Sequence, residues 1–396
     1  MTGSKGLVLF GSTGSIGTQM LDVVKHQLDR YHIVGLTARS NDELLAEQTA
    51  AFQPRFVALS DEVARERLVI RLERQGISIP VVGDDELPAM LGRVAFDIPV
   101  VAAASIDLAQ VVYDLLRSGL PMAIASKELL ITLGDLLEPF RAQLHPIDSE
   151  LSAIWQCLAG EDMETVERVV LTASGGPFRA LPAAELDGVT VVRALQHPSW
   201  LMGHKVTIDS ATMFNKALEL AEAHVLFGVD RTRITAVQHP QSVVHGLVEF
   251  QDGTTRAVLY RPDMRVAIAY ALSVPERPRH EEMARLRLEE IGTLTFEPID
   301  VKFEAFALGR EAQLRSPRAM LALLGADEVA VSRFLIAQGT FGDIVAVLRC
   351  VLSGTGDEPL DRSVRAHVEA VADGRQLACR WYENKYGRQP DDRKGA

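Results

Sequence analysis

The first third of the chain alternates two hydrophobic patterns. Apolar runs of four or five residues lie at 7–10, 33–37, 56–59, 79–82, 100–104 and 122–125. Between them are stretches whose apolar residues recur every three or four positions, as at 16–28 and 108–118. Runs that are apolar throughout belong to strands buried on both faces, so the alternation predicts a doubly wound parallel sheet covered by helices on both sides. The pattern changes after residue 147. Strands are expected at 166–174, 234–238, 243–251 and 254–260, the last two joined as a hairpin by Gln251-Asp252-Gly253. With helices at 151–159 and 211–227 they make an α+β unit. The stretch 275–298, with Pro275, Pro278 and Pro298, reads as a linker. From 301 to about 386 strand signals disappear and helical periodicity returns, which predicts a small bundle. The expected organisation is therefore an α/β domain over 1–147, a central α+β domain over 148–275, a linker over 276–300, a C-terminal α-helical bundle over 301–388 and a polar tail over 389–396.

Composition narrows the class. The chain has 396 residues, 47% of them apolar, and a formal net charge of −12. That is enough for a large core. The acidic balance argues against nucleic acid and anionic membranes as partners. The longest apolar run, 98–106, is well short of the roughly 20 residues of a membrane helix. The N-terminus lacks the apolar stretch of a secretory signal. Cys157, Cys350 and Cys379 are widely spaced, with no CxxC, which gives neither a disulfide framework nor a zinc site. A reduced, cytoplasmic protein is expected.

Three groups of residues carry chemistry. In the first, strand 7–10 runs into GSTGSIG and then a helix with Ile16, Met20, Leu21 and Val24 inward. Gly11 suits the tight turn, Gly14 close approach of backbone to a pyrophosphate, and Gly17 close strand–helix contact, with the helix N-terminus supplying N–H donors. The spacing is GxxGxxG, and a plain glycine-rich turn would share it. With its flanking strand and helix it reads as a Rossmann-type dinucleotide site. The second strand ends in Arg39-Ser40 where an NAD enzyme usually offers an acid, so a 2′-phosphate, and hence NADP, is favoured.

The second group is acidic. Asp148 and Glu150 stand where an N-cap and a first-turn acid would also stand. Asn215, Glu219 and Glu222 form a helical stripe that is normally a solvated face. If Asp148, Glu150 and Glu219 converge, three carboxylates without His or Cys suit a hard divalent ion, Mg²⁺ or Mn²⁺. The third group would bind an anion. Ser174-Gly175-Gly176 after an apolar strand can form an N–H nest, and Ser210, Asn215 and Lys216 add donors and a positive charge. His197 to Met202 places an imidazole, an indole and a thioether in one loop, where Trp200 either covers a ligand or is a buried anchor.

These residues sit in motifs that resemble the 1-deoxy-D-xylulose 5-phosphate reductoisomerase family: GSTGSIGTQ, ASKELL, PIDSELSAIWQCL, LTASGGPF, HPSWLMGHKVTIDSATMFNKALELAEA, HPQSVVHGLVEFQDGT and RPDMR. The resemblance implies an NADPH- and divalent-metal-dependent rearrangement and reduction of 1-deoxy-D-xylulose 5-phosphate to 2-C-methyl-D-erythritol 4-phosphate, in the non-mevalonate isoprenoid pathway. It implies metal ligands at Asp148, Glu150 and Glu219, holding Mn²⁺ or Mg²⁺, with Co²⁺ a further option. Substrate contacts are implied at Ser149, Glu150, Ser174, His197, Ser210, Asn215, Lys216 and Glu219. Lys127, Glu150, His197 and Trp200 would serve the chemistry, with Trp200 on a flexible loop, 197–204, closing over the substrate. The cofactor would meet Gly11, Thr13, Gly14, Ser15, Ile16, Arg39, Ser40, Ser126, Glu128, Met202 and Gly203, with Met202 against the nicotinamide. His245 would be structural or lie behind the ligands. A homodimer is implied as well. The family's Asn-Lys-Glu stands here as Ser126-Lys127-Glu128, and its C-terminal Asn-Glu as Asp327-Glu328. Two other readings remain open at this point: an NADP-dependent dehydrogenase of another phosphorylated metabolite, and a non-catalytic NADP sensor.

Overall fold

The structure, a computed structural model, describes residues 3–196 and 203–387. The chain forms two compact units. The first runs to Leu129 and also takes in Pro139–Trp155 and Asp263–Leu286; the second comprises Leu130–Glu138, Gln156–Pro262 and the chain from Arg287 onward.

The first unit is built on seven parallel strands: β1 Lys5–Phe10, β2 Tyr31–Ala38, β3 Phe56–Leu59, β4 Val81–Val82, β5 Ile98–Val101, β6 Met122–Ile124 and β7 Leu144–Pro146. Their order is β4-β3-β2-β1-β5-β6-β7. Leu7, Val8, Leu9 and Phe10 are all fully buried, which is why β1 shows no apolar–polar alternation. The strand order reverses between β1 and β5, and such a reversal opens a crevice at the carboxyl ends of the strands. β7 was not legible beforehand, because a three-residue Leu-His-Pro strand is too short to show a period. Helix Met264–Ser273 belongs to this unit: Ile268 and Leu272 enter its core, and the helix runs against Ser15–Lys25.

The second unit has a five-stranded sheet of β8 Val166–Ala173, β9 Ile234–Gln238, β10 Val244–Phe250, β11 Thr255–Leu259 and β12 Glu297–Pro298, in the order β11-β10-β8-β9-β12. The β10–β11 hairpin turns at Asp252-Gly253 as expected, with Asp252 accepting from the Thr254 amide at 2.8 Å. The expected helix at 211–227 is two helices, His204–Thr212 and Phe214–Phe227. They part at Met213, which takes a left-handed conformation (φ 63°), while the Thr212 hydroxyl accepts from the Phe214 amide. A hydroxyl cap replaces the helical hydrogen bond there, and apolar periodicity does not register such a break. The expected linker contributes strand β12 to this sheet. The C-terminal helices are Glu304–Arg315, Pro317–Leu335, Phe341–Gly354 and Val364–Tyr386. Among the described residues no helix is long and apolar enough to cross a membrane.

The last helix is tied down electrostatically. Asp343, 2% exposed, forms a capping box with Thr340 at the start of Phe341–Gly354. It also accepts hydrogen bonds from Lys385 and Tyr386 of the last helix. Burial alone would raise the carboxyl pKa, but the donors Lys385, Thr340 and Tyr386 outweigh it and hold the pKa below its ordinary value. A depressed carboxyl pKa stabilises the fold above the unfolded value of about 3.9, and that contribution is lost as pH falls through the folded value. Asp343→Asn is therefore expected to destabilise the second unit by about 1–3 kcal/mol at pH 7, with the gap from the unmodified protein narrowing below about pH 4. Urea unfolding at pH 7 and pH 3 measures both; an equal gap at the two values contradicts the assignment.

Candidate active site

The dinucleotide end of the first unit is shaped by backbone. Gly11, at the end of β1, has φ +83°, and its amide and that of Ser12 both donate to the Thr37 carbonyl on β2. A Cβ on Gly17 would fall 2.2 Å from the Gly11 carbonyl oxygen, so the turn closes only with glycine there. Gly14 and Ser15 are exposed, Thr13 and Ile16 are half-buried, and no side chain caps the helix that begins at Ser15. Its first N–H groups, with the positive end of the helix dipole, can therefore receive a pyrophosphate. Arg39 and Ser40 are exposed just beyond β2. The cradle that the sequence predicts is present in shape.

Arg265 braces this end, a role the sequence did not reveal. It donates to Asp22, on the glycine-loop helix, and to Asp263, each at 2.8 Å. These two carboxylates raise the guanidinium pKa. The signal was the RPDMR motif itself, whose Asp263 caps the helix that carries Arg265.

Further along the first unit, Lys127 and Asp148 form an ion pair whose side chains are only 11% and 10% exposed. Ser126 is buried, and its hydroxyl accepts from the Leu129 amide at 3.3 Å. Glu128, the next residue after Lys127, is also buried. Asp148 Oδ1 accepts from the Glu150 and Leu151 amides at 3.1 and 3.3 Å, so it does cap its helix, while Oδ2 meets Lys127. Ser149 donates to the Glu150 carboxylate. The helix cap and the ion pair thus use different oxygens of one carboxylate.

In the second unit, Ser174-Gly175-Gly176 follows β8. Gly175 and Gly176 have φ +85° and +63°, and the Ser174 hydroxyl accepts from the Gly176 amide at 3.1 Å. Gly176 lies against the Ser210 carbonyl, which a Cβ would approach to 2.5 Å. Loop 174–176 and Ser210 are therefore neighbours, as an anion nest requires. The stripe on Phe214–Phe227 is not solvated: Glu219 and Glu222 are at most 1% exposed. Glu219 accepts from both Asn215 and Lys216. Burying a carboxylate this fully requires such donors, and the arrangement excludes the solvated-face reading.

Gly203 is exposed and precedes helix His204–Thr212. Lys205 in its first turn donates to Asp209 at 2.6 Å and to Asp327 at 2.8 Å. Asp327, fully buried, is the Asp of the Asp327-Glu328 pair, and it ties this helix to Pro317–Leu335. His245 is buried, stacked on Tyr260, with Nε2 3.1 Å from the Tyr260 carbonyl oxygen. These contacts fix the orientation of the ring. His197, Trp200 and Met202 lie outside the described residues, so their expected roles rest on the sequence.

Residues 7–134 match the family described as 1-deoxy-D-xylulose 5-phosphate reductoisomerase. Residues 144–227 match its C-terminal domain, and 259–377 match a further DXP reductoisomerase C-terminal domain. The 1-deoxy-D-xylulose 5-phosphate reductoisomerase of Prosthecochloris aestuarii is 44% identical over 362 residues, covering 87% of this chain and 91% of that protein. A crystal structure of DOX-P reductoisomerase in complex with NADPH, fosmidomycin and magnesium is similar at a TM-score of 0.90 and 31% identity, over 97% of this chain and 100% of that one. The enzyme from Zymomonas mobilis in complex with NADPH is similar at a TM-score of 0.86 and 32% identity, over 96% and 99%. The chain belongs to the 1-deoxy-D-xylulose 5-phosphate reductoisomerase family.

Proposed function

We infer that the chain is an NADPH- and divalent-metal-dependent oxidoreductase that converts 1-deoxy-D-xylulose 5-phosphate into 2-C-methyl-D-erythritol 4-phosphate, within the non-mevalonate isoprenoid pathway. The observation that carries this reading is a set of three carboxylates. Asp148 and Glu150 stand at the start of helix Ser149–Leu158, and Glu219 is buried on helix Phe214–Phe227. The set contains no imidazole or thiolate, so it fits a hard ion such as Mg²⁺ or Mn²⁺, with Co²⁺ also accommodated. The glycine cradle and exposed Arg39-Ser40 fit NADPH in the same way.

When bound, the divalent ion supplies Lewis-acid stabilisation of charge on substrate oxygen, and NADPH supplies the hydride. The protein's own part is binding and orientation. We assign the substrate phosphate to Ser174, Ser210, Asn215 and Lys216, where backbone N–H groups, hydroxyls and an ammonium offer an anion charge-assisted hydrogen bonds. Ser149 and Lys127 are assigned to the sugar backbone. Lys127 and Lys216 each pair with a proposed metal ligand in this structure. A divalent ion on those carboxylates would relieve both lysines of that task and leave their ammonium groups for the substrate. Phosphate held far from the reacting carbons contributes binding energy that orients them. Ser126, Glu128, Met202 and Gly203 are assigned to the cofactor. His197 and Trp200 are assigned to the substrate side, with Trp200 excluding water during hydride transfer. A cytoplasmic homodimer is part of the proposal and rests on the family resemblance.

The direct test is turnover of 1-deoxy-D-xylulose 5-phosphate with NADPH, with and without EDTA. A dehydrogenase of another metabolite would leave this substrate untouched, and a non-catalytic sensor would bind NADPH without oxidising it. Glu219→Gln, which keeps size and removes charge, is expected to abolish metal-dependent turnover and weaken Mn²⁺ binding while the far-ultraviolet circular dichroism is unchanged. Near-full rate at low Mn²⁺ would refute the metal assignment. Lys216→Ala is expected to raise the substrate KM far more than that of NADPH; the reverse order would mean the phosphate sits elsewhere. Arg39→Ala removes a charge-assisted contact of about 1.5–3 kcal/mol and is expected to raise the NADPH KM about tenfold or more with little change for NADH. Equal loss for both cofactors would show that Arg39 does not read the 2′-phosphate.

A further inference from the structure

In dinucleotide-binding folds, an acid just beyond the second strand hydrogen-bonds the ribose 2′-hydroxyl of NAD and repels the 2′-phosphate of NADP. In this chain Arg39 and Ser40 hold that position, and an acid follows shortly after them. The first carboxylate after β2 is Asp42, three residues beyond Arg39 and at the start of helix Asp42–Phe52. Its surroundings differ from those of the residues before it. Arg39, Ser40 and Asn41 are exposed, whereas Asp42 is 6% exposed.

Both oxygens of Asp42 are occupied. Oδ1 accepts from Arg67 Nε at 3.0 Å and Arg67 Nη2 at 2.7 Å, and Oδ2 accepts from Arg71 Nε at 2.8 Å. Arg67 and Arg71 lie one turn apart on helix Glu62–Arg74, so they meet the carboxylate from one face. Neither guanidinium is sealed in: their side chains are 50% and 41% exposed. The other acids nearby do not take Asp42's place. Glu43 is largely exposed and reaches Arg71 only at 3.9 Å, and Asp61 caps its own helix by accepting from the Ala64 amide. The hydrogen bond from Arg67, and then that from Arg71, hold the Asp42 carboxyl below its usual pKa against the effect of burial.

We propose that Arg67 and Arg71 are specificity-determining residues: by holding Asp42 turned away from the adenosine ribose, they silence the acid that would select NAD and leave Arg39-Ser40 to receive the 2′-phosphate. The inference rests on the NADPH reading given above.

The test is direct binding of NADPH and NADH to the full-length chain without substrate, by calorimetric titration. The unmodified protein is expected to bind NADPH more tightly. In R67M/R71M the ratio of NADPH to NADH affinity is expected to fall about tenfold or more, since Asp42 is then free to face the ribose. Adding D42N to that pair is expected to return the ratio to within about threefold of the unmodified value. A double variant that keeps its ratio overturns the inference. So does a triple variant as poor as the double, because the arginines would then contact the phosphate themselves. If the double variant does not fold, the single variants R67M and R71M decide: each loosens the hold on Asp42 and is expected to lower the ratio about threefold, and two unchanged ratios overturn the inference. A lack of preference in the unmodified protein would overturn the NADPH reading itself, which is a separate result.

Discussion

A carboxylate taken out of water must be matched by positive charge and hydrogen-bond donors, and much of this molecule is arranged around that requirement. Asp148 has Lys127; Glu219 has Lys216 and Asn215; Asp209 and Asp327 share Lys205; Asp42 has Arg67 and Arg71; Asp343 has Lys385. Removing one partner of such a pair leaves a buried charge unmatched, which is far more destabilising than loss of a surface pair. The pairs fall into two kinds. Those at Asp343 and Asp327 join helices and are architectural. Those at Asp148 and Glu219 involve proposed metal ligands, where a divalent ion would compete with the lysines for the same oxygens.

The same requirement accounts for the location of the chemistry. In the first unit, Gly11 stands at the carboxyl end of β1 beside the strand-order reversal, and Lys127 and Asp148 follow β6 and β7 at the same ends of their strands. A parallel sheet presents all its carboxyl ends on one side, so residues far apart in sequence gather there without any long loop. In the second unit the break at Met213 puts Ser210 and Glu219 on different helices. Each residue then has its own orientation, which one straight helix does not allow.

The strand-by-strand reading of the parallel sheet succeeded because doubly buried strands are apolar throughout, and this signal survives without knowledge of neighbours. The bundle after residue 301 and the Asp252-Gly253 hairpin were legible for similar local reasons. The motifs GSTGSIG, PIDSE, LTASGG and NKALE marked the candidate sites, since each combines unusual residues within a few positions. What local pattern could not show was partnership. Helix Met264–Ser273 looks like part of the chain that precedes it, yet it returns to the first unit, because its fit is with the face of helix Ser15–Lys25.

By itself, then, the sequence determined the element types, the glycine cradle, the identity of the acidic and phosphate-binding candidates and the family. Each depends on residue type at short spacing, which the linear chain carries in full. The tertiary structure decided which charges are buried and what neutralises them. Glu219 stands in the sequence on a stripe that is normally a solvated face, and only the structure shows it buried against Lys216, as it shows Asp42 buried against Arg67 and Arg71. Burial is a property of surfaces brought together from distant parts of the chain, and no window along the sequence contains it.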